Sequence, residues 1–255
     1  MTRGEFDTMQ ATMAPTVPPP DDEHTTQRME AELAEITRHL AHGLTTPLWA
    51  FESFIKMFLE RHGENLSPDA MWYIERLQAT HRQMENLVKG VDALAAISRH
   101  NASCNKLNVS SLVSEAVKEQ SADCPKRRVE AFVEPDLHAT VDASLMSTAM
   151  RHLVANAIKF TQHCETTVVE FGLHDSHDVP AGFQVFFLRD NGVGFDPSLK
   201  YKLFAPFQRL HAEPEFEGLG MGLACARRAI HRQGGEIRVE STPSRGATVY
   251  MMLPQ

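Results

Sequence analysis

Two glycine clusters and a carboxylate stand close together in the C-terminal half of the chain. Asp190 follows an apolar, strand-like run and opens the segment DNGVGF, and the second cluster, GLGMG, occupies residues 218–222. Glycine lets backbone N–H groups approach phosphate oxygens closely, and a helix N-terminus favours an anion there. A buried carboxylate accepts from the exocyclic amino group of adenine and disfavours the guanine carbonyl. Together the clusters predict an ATP site.

A polar pair upstream of these clusters has the side chains that a nucleotide's metal ion and phosphates need. Asn156 and Lys159 lie near the end of an amphipathic helix that we expect to begin near Ala143. An amide oxygen can hold Mg²⁺, which takes few protein ligands and completes its shell with phosphates and water. Taken singly, either residue is better explained as a helix cap or a solvated cation, and glycines at this density are often plain turns. The prediction therefore rests on the combination.

A candidate nucleophile lies in the N-terminal part of the chain. His42 is followed one helical turn later by Thr46 and then by Pro47. An imidazole is neutral for much of the time near pH 7, so one ring nitrogen can attack a phosphoryl group. With thirteen histidines in the chain, and His39 only one turn away, the histidine alone indicates nothing specific.

These candidates need two kinds of scaffold, and the first is a helical hairpin over residues 26–100. Apolar side chains recur at helical spacing in two arms. They are Leu33, Ile36, Leu40, Leu44, Leu48, Phe51, Ile55 and Phe58 in the first, and Ile74, Leu77, Met84, Val88, Val91 and Leu94 in the second. Between the arms, Ser67 and Pro68 fit an N-cap and a first helical position. Two helices cannot cover so wide an apolar face, so we expect a homodimer with a four-helix bundle.

The second scaffold is the ATP-binding part over residues 104–255, where short strands alternate with helices. We predict strands at 106–109, 129–133, 137–141, 167–173, 183–189, 236–241 and 246–253, and helices near 110–121, 143–160 and 221–233. The last two strands are joined by a tight turn and should pair antiparallel. A mixed sheet covered by helices on one face follows. The expected fold class is α+β, a helical hairpin followed by an α/β sandwich.

Composition argues against several functional classes. The formal net charge of −8 argues against a nucleic-acid backbone as the main partner. Four cysteines without C-x-x-C spacing indicate neither a zinc site nor a disulfide framework, and they fit free thiols in a reducing cytoplasm. No apolar run approaches the ~20 residues that cross a bilayer, and the polar N-terminus is unlike a signal peptide. We expect a cytoplasmic protein without membrane insertion, with a disordered tail over residues 1–25.

The order of the motifs resembles the kinase core of two-component sensor histidine kinases. The family's boxes match in sequence: an H box, HGLTTPL, from His42, the N box at Asn156, the first glycine box at 190–194, the F box at 204–209 and the second glycine box at 218–222. The resemblance covers about residues 30–254. The run from Phe207 to His211 and the segment ahead of Gly218 are similar to kinases of the bacteriophytochrome type.

This resemblance implies a Bergerat-type ATP-binding fold with a flexible lid over about residues 198–217, anchored by Phe204 and Phe207. It assigns nucleotide binding to Asn156, Lys159, Asp190, Gly192, Gly194, Phe207, Arg209, Gly218, Gly220, Gly222, Leu223 and Thr248, and Mg²⁺ binding to Asn156. It implies that His42 accepts the γ-phosphoryl group of ATP and passes it to an aspartate of a response-regulator receiver domain. In this family the residue at Thr46 helps position water for hydrolysis of the regulator's aspartyl phosphate.

Two positions depart from the family's pattern. Gly43 stands where the family has Asp or Glu, an acid that orients the phosphoaccepting imidazole. Positioned acid–base groups contribute about 10²–10⁴-fold in rate, so its loss predicts a slow kinase unless Glu35, Glu52 or a partner residue substitutes. We also expect Gly43 with Thr46 to bias the protein towards phosphatase activity. His152 stands where the N box has its first Asn, which predicts looser positioning of metal or water.

Several alternatives stay open from the sequence. Gly43 favours a phosphatase-biased or phosphotransfer-only relative. A non-catalytic adaptor could keep the ATP fold for dimeric partner binding, but intact Asn156, Asp190 and glycine clusters argue against it. An ATPase of the same nucleotide fold would not need the hairpin and its histidine. Only the short tail precedes the hairpin, so we expect the input signal to come from a separate sensory protein, the hairpin or the tail.

Overall fold

The computed structural model describes residues 20–175, 179–208, 216 and 218–255, with side chains from residue 35 onward. Its helices are α1 (Pro20–His62), α2 (Pro68–Arg99), α3 (Val109–Ala122), α4 (Ala143–Phe160) and α5 (Gly222–His231). Its strands are β1 (Asn105–Asn108), β2 (Arg128–Val133), β3 (His138–Val141), β4 (Thr166–His174), β5 (Phe183–Asp190), β6 (Glu236–Ser241) and β7 (Ala247–Pro254). From β1 onward, the predicted helices and strands are confirmed, with ends shifted by one or two residues.

The helical hairpin turns where the sequence predicts. A single 3₁₀ turn, Gly63–Asn65, follows α1, and the Ser67 hydroxyl accepts from the N–H of Ala70 at 3.1 Å ahead of Pro68. The expected disorder up to residue 25 is wrong at its end, because α1 already begins at Pro20. Proline suits a first helical position and acidic residues suit a first turn, so the composition that suggested a tail also fits a helix start. Residues 1–19 lie outside the described part of the chain.

One hairpin leaves much of its apolar surface in contact with solvent. Ala41, Ile55 and His81 are buried between or beside its arms. Large apolar side chains that stay exposed on it are Ile36, Leu40, Leu44, Trp49, Phe54, Met57, Phe58, Trp72, Tyr73, Leu77 and Met84. A patch of this extent marks an interaction surface rather than an ordinary monomer surface.

The C-terminal part is a mixed sheet with helices on one face, as predicted. The sheet order is β2-β4-β5-β7-β6, with β2 and β4 parallel and the other neighbours antiparallel, while β1 and β3 form a separate antiparallel pair. Helix α4 lies at the centre of the core. Its Met146, Met150 and Leu153 are almost fully buried, with Phe171 and Phe186 of the sheet in the same apolar cluster.

The end of α2 is joined to the sheet domain by hydrogen bonds. Asp142 caps α4 and also binds the imidazole of His100 at 3.0 Å and the N–H of Ser103 at 2.8 Å. Burial raises the pKa of Asp142, but the hydrogen bonds outweigh it and bring the pKa to about 2. Arg232 donates to the carbonyl of His100 at 2.7 Å. These bonds fix the start of the sheet domain against the hairpin.

Candidate nucleotide-binding site

A cavity of about 460 Å³ lies between α4, the ends of the central strands and the glycine-rich segment before α5. Its volume suits a drug-sized ligand or a cofactor. Sequence-predicted residues that line it are Asn156, Lys159, Asp190, Gly194, Gly218, Gly220, Gly222 and Leu223. The structure therefore brings most of the predicted binding residues together around one space.

Asp190 is held at the end of β5 by backbone donors. One of its oxygens, Oδ1, accepts from the N–H of Gly192 at 2.8 Å and from that of Ala247 at 3.2 Å. Among the described residues, none forms a hydrogen bond with Oδ2. Burial raises the pKa of Asp190 to about 6, although the two backbone bonds oppose the rise. Near pH 7 the group is mostly ionised and has an acceptor to offer an amino group of a ligand.

Two glycines of the segment that leads into α5, Gly220 and Gly222, present backbone rather than a side chain to their neighbours. Gly220 has φ of +70°, and a Cβ there would collide with the backbone of Gln208. At Gly222, the first residue of α5, a Cβ would lie 3.5 Å from Nδ1 of His152 and 3.7 Å from the side-chain amide of Asn156. A cradle that a methyl group would fill, at the N-terminus of a helix, fits phosphate oxygens.

Helix α4 supplies the polar side chains of the cavity. The Nζ atom of Lys159 lies 3.1 Å from the point where a Cβ of Gly218 would stand, and 4.7 Å from the ring centre of Phe160. Asn156 lies one turn earlier on the same face. One amide oxygen beside a phosphate cradle fits Mg²⁺, since this ion takes few protein ligands and completes its shell from phosphates and water. Burial, and then the charge of Arg151, lower the pKa of His152.

Some lining residues were not predicted from the sequence. Phe216 is buried with 2% of its surface exposed, and its ring packs on Phe160 with centroids 5.1 Å apart. Ala247 and Val249 line the cavity from β7, and Asn86 lines it from the hairpin. Only for Phe216, next to the second glycine cluster, did the sequence offer a local signal. The others depend on long-range pairing.

Thr248 does not belong to this cavity, which corrects one prediction. Successive strand residues face opposite sides of a sheet, so Thr248 points away where its neighbours point in. Its hydroxyl accepts from Arg189 Nε at 3.3 Å on the outer face. Gly192 donates its N–H to Asp190, and it is not among the lining residues.

The predicted lid is described only in part. It begins with a 3₁₀ turn at Pro197–Lys202, and Phe204 packs against the core with the Arg227 guanidinium 5.4 Å above its ring. Phe207 has φ of +63° and is 44% exposed, and it does not line the cavity. Arg209 lies outside the described residues.

The predicted nucleophile lies on α1, which packs against α2, the helix that borders the cavity. His42 and Thr46 are exposed on α1. An apolar groove brings Leu44, Pro47 and Leu48 of α1 against Met84, Leu87 and Val88 of α2. Asn86, on the same stretch of α2, lines the cavity. The part of the hairpin that borders the cavity is therefore level with the turns directly after His42.

A second contact between hairpin and cavity lies one turn further along α2. A Cβ on Gly90 would stand 2.8 Å from Cγ of Met221, which lines the cavity and precedes α5. The absence of a side chain at this position allows the helix to approach the nucleotide site closely.

Comparison with known proteins is consistent with this geometry. Residues 141–255 match the family described as histidine kinase-, DNA gyrase B-, and HSP90-like ATPase. The chain is 27% identical to the phytochrome-like protein Cph1 of Synechocystis over 228 residues, which is 89% of this chain and 30% of that protein. It is 29% identical to the methanogenesis regulatory histidine kinase FilI of Methanothrix harundinacea over 235 residues, 89% of this chain and 25% of that protein.

The fold also matches a solved structure, full-length ShkA in complex with AMPPNP. The match has a TM-score of 0.59 at 20% identity and covers 86% of this chain and 45% of that chain. This chain spans 25% to 30% of the length of the two curated relatives named above. Within the described residues, no helix is both long and apolar enough to cross a membrane.

Proposed function

We propose, from the premise that this chain carries the core of a sensor histidine kinase, that it transfers the γ-phosphoryl group of ATP to His42 and then to an aspartate of a response-regulator receiver domain. The observation that supports this most is the cavity where Asp190, Asn156 and the backbone of Gly222 meet. That cavity borders the hairpin beside the turns that follow His42. This arrangement supports an acceptor side chain on the hairpin near the binding site.

Each group around the cavity has a task in binding ATP. Oδ2 of Asp190 accepts from the amino group of adenine, which selects this base over guanine. The N-terminus of α5 and the ammonium group of Lys159 face the phosphates and offset their charge. The apolar walls, with Phe216 and Leu223 among them, exclude water from the reacting groups. Positioning and charge neutralisation are the main contributions that a protein makes to phosphoryl transfer.

Asn156 would hold the Mg²⁺ ion through its amide oxygen. Bound there with ATP, the ion would supply positive charge to offset that of the phosphates.

The transfer step forms one bond and breaks one. The lone pair of a ring nitrogen of His42 attacks the γ-phosphorus, a P–N bond forms, and the P–O bond to ADP breaks with its electron pair on ADP. The proton on the other ring nitrogen needs an acceptor, which the family supplies next to the histidine and this chain does not. Gly43 therefore predicts a slow first step. Glu35 and Glu52 are exposed on the same helix, but they lie about 10 Å and 15 Å from His42 along its axis, too far to accept this proton within one copy.

A second copy of this chain is the partner that we propose for the exposed apolar face of the hairpin. Two hairpins would bury side chains such as Trp49, Phe54 and Trp72, which are 54% to 66% exposed in one copy. The resulting four-helix bundle would display His42 for both ATP and a receiver domain. Free cysteines at 104, 124, 164 and 225 fit a reducing compartment, so we place the activity in the cytoplasm.

Phosphorylation of the purified chain tests this proposal. The protein is incubated with γ-labelled ATP and Mg²⁺, beside His42→Ala and the matched control His39→Ala. We expect acid-labile label on the wild type and on His39→Ala, none on His42→Ala, and loss of label to an added receiver domain. Equal label on His42→Ala contradicts the proposed acceptor. No label on any variant, with nucleotide binding shown separately, contradicts the kinase.

A phosphatase-biased protein is the second candidate, and a specific pair of residues favours it. Gly43 provides no acid for the kinase step, while Thr46 is exposed one turn after His42. There its hydroxyl could position water against a receiver's aspartyl phosphate. We expect Thr46→Ala to slow dephosphorylation of a phosphorylated receiver without weakening ATP binding. Equal dephosphorylation rates for the wild type and Thr46→Ala would contradict this candidate.

A further inference from the structure

Arg127 turns into the protein at a point where both of its neighbours in the chain stay exposed. It is half-buried and lies directly ahead of β2. Its Nη1 atom donates to the carbonyl of Ile158 at 2.6 Å. Its Nη2 atom donates to the hydroxyls of Thr161 at 3.0 Å and Thr167 at 2.5 Å. The guanidinium group thus joins the starts of β2 and β4 to the end of α4.

The oxygens that Arg127 binds lie at the C-terminal end of α4 and beside it. Ile158 belongs to the last turn of α4, where carbonyls have no N–H partner further along the helix. The helix dipole favours a cation there. The hydroxyls of Thr161 and Thr167 lie 2.9 Å apart, and both residues are almost fully buried. Because a guanidinium group is planar and carries its donors in a fixed fork, it binds these oxygens in one geometry and holds the last turn in place.

The turn that Arg127 holds also carries groups of the nucleotide cavity. Lys159 is part of this turn and lines the cavity. The carbonyl of Phe160 accepts from the N–H of Val193, in the first glycine cluster, at 3.1 Å. Because a lysine side chain is flexible, the placement of its ammonium group depends on the backbone from which it extends. A displaced last turn therefore moves the ammonium group of Lys159 relative to the glycine segment before α5.

We propose that Arg127 is a positioning residue for nucleotide binding, and that it acts by fixing the last turn of α4 so that Lys159 meets the phosphates. This inference rests on the proposed binding of ATP in the cavity. Arg127 is not among the residues that line the cavity, so its effect has to pass through α4. The alternatives are a solvated cation, which the three hydrogen bonds argue against, and a residue that stabilises the fold alone.

Substitution of Arg127 by methionine removes the donors and keeps much of the length of the side chain. The full chain is titrated with Mg²⁺ and a non-hydrolysable ATP analogue in a calorimeter. The loss of a hydrogen bond from a charged group costs about tenfold in affinity or more, so we expect a loss of about tenfold in Arg127→Met. Arg128→Met is the matched control, because Arg128 is exposed and pairs with Glu130 at 2.6 Å, and its affinity should equal that of the wild type.

The same substitution in a chain without Lys159 distinguishes positioning from stability. Lys159→Met is compared with the double variant that carries Arg127→Met as well. If Arg127 acts through Lys159, the loss from Arg127→Met should shrink from about tenfold to less than about twofold in this background, because the two residues are coupled. A residue that stabilises the fold alone would lower the affinity by the same factor in both backgrounds.

Unchanged affinity in Arg127→Met, or an equal loss in both backgrounds, overturns the role of Arg127 and leaves the nucleotide site intact. If the analogue does not bind to the wild type, the proposed function fails together with this inference. Circular dichroism shows whether each variant is folded. Should Arg127→Met be unfolded, Arg127→Lys replaces it in both backgrounds, because lysine keeps the charge and lacks the fork of donors. The expected loss is then smaller, and it should again disappear in the Lys159→Met background.

Discussion

The N–H of Ala247 on β7 donates to Oδ1 of Asp190 on β5 at 3.2 Å. With the bond from Gly192, it occupies one carboxylate oxygen and keeps the other available as an acceptor. Two antiparallel neighbours of the sheet therefore set the orientation of the group that we assign to base recognition.

Replacement of Asp190 by Asn should weaken ATP binding and change base preference. An asparagine has to keep its carbonyl oxygen towards the two N–H donors, so its NH₂ group would face the amino group of adenine. Two facing donors cost about 1–3 kcal/mol, so we expect ATP affinity to fall by about tenfold or more. Inosine triphosphate has a carbonyl where ATP has the amino group of adenine, so its affinity should fall less. Titration calorimetry measures both, with Asp123→Asn at an exposed helix end as the control. An unchanged ATP-to-ITP ratio in Asp190→Asn would refute the assigned role.

Binding of ATP should weaken in mild acid. Burial holds the pKa of Asp190 at about 6, so the carboxylate is present above this pH and is protonated as the pH falls through it. Protonation removes an acceptor, and at one unit below the pKa about nine-tenths of the group is neutral. We expect the advantage of the wild type over Asp190→Asn to shrink by about tenfold between pH 7 and pH 5. Protonation of the phosphates affects the wild type and Asp190→Asn equally. A ratio of their ATP affinities that stays constant from pH 7 to pH 5 would therefore contradict this prediction.

An acid introduced after the phosphoacceptor should accelerate the kinase step. A Cβ at Gly43 would meet nothing within 4 Å, so the chain accommodates Gly43→Glu. Pro47 lies inside α1 and cannot donate to the carbonyl four residues earlier, so this part of the helix is already weak. We expect about 10²-fold faster labelling of His42 in Gly43→Glu.

Gly43→Ala separates the effect of the acid from the effect of helix stability. Relative to glycine, alanine stabilises a helix interior by roughly 1 kcal/mol, and glutamate provides much of the same gain. Alanine, however, brings no carboxylate. Its labelling rate should stay close to that of the wild type. If Gly43→Ala and Gly43→Glu are equally fast, helix stability and not acid–base chemistry limits the reaction.

A side chain at Gly220 should abolish nucleotide binding. Gly220 has φ of +70° and its missing Cβ would strike the backbone of Gln208, so alanine has to displace the glycine segment. Gly182 has φ of +83° in open space and serves as the control for backbone strain alone. Gly182→Ala should lose about 1–2 kcal/mol of unfolding free energy from backbone strain, and Gly220→Ala should lose more because of the clash. Only Gly220→Ala should lose ATP affinity, and equal affinities in calorimetry would contradict the assignment of this segment.

Local sequence signals predicted much of the fold and part of the site. Features that depend on neighbouring residues could be predicted from the sequence. They are the cap at Ser67, the ends of α4 and the glycine-rich segment before α5. The bounds of β4 and β5 followed from apolar runs between turns.

The errors arose where distant parts of the chain meet. Thr248 was assigned to the site, but one residue along a strand reverses the face, and pairing with β5 fixes that register. Asn86 and Met221 are far apart in sequence, and the docking of α2 against α5 brings both to the cavity. The predicted disorder up to residue 25 was wrong because the proline and acidic residues that suggested a tail also suit the first turn of a helix, which begins at Pro20.

Mapping of the phosphorylated residue tests whether His42 is the acceptor. The wild-type chain is incubated with ATP and Mg²⁺, kept at alkaline pH to preserve phosphohistidine, and fragmented for mass spectrometry. We expect a phosphoryl group on His42 and none on His39 or His81. Phosphorylation of another residue, or an unmodified His42 in protein that binds ATP, would contradict it.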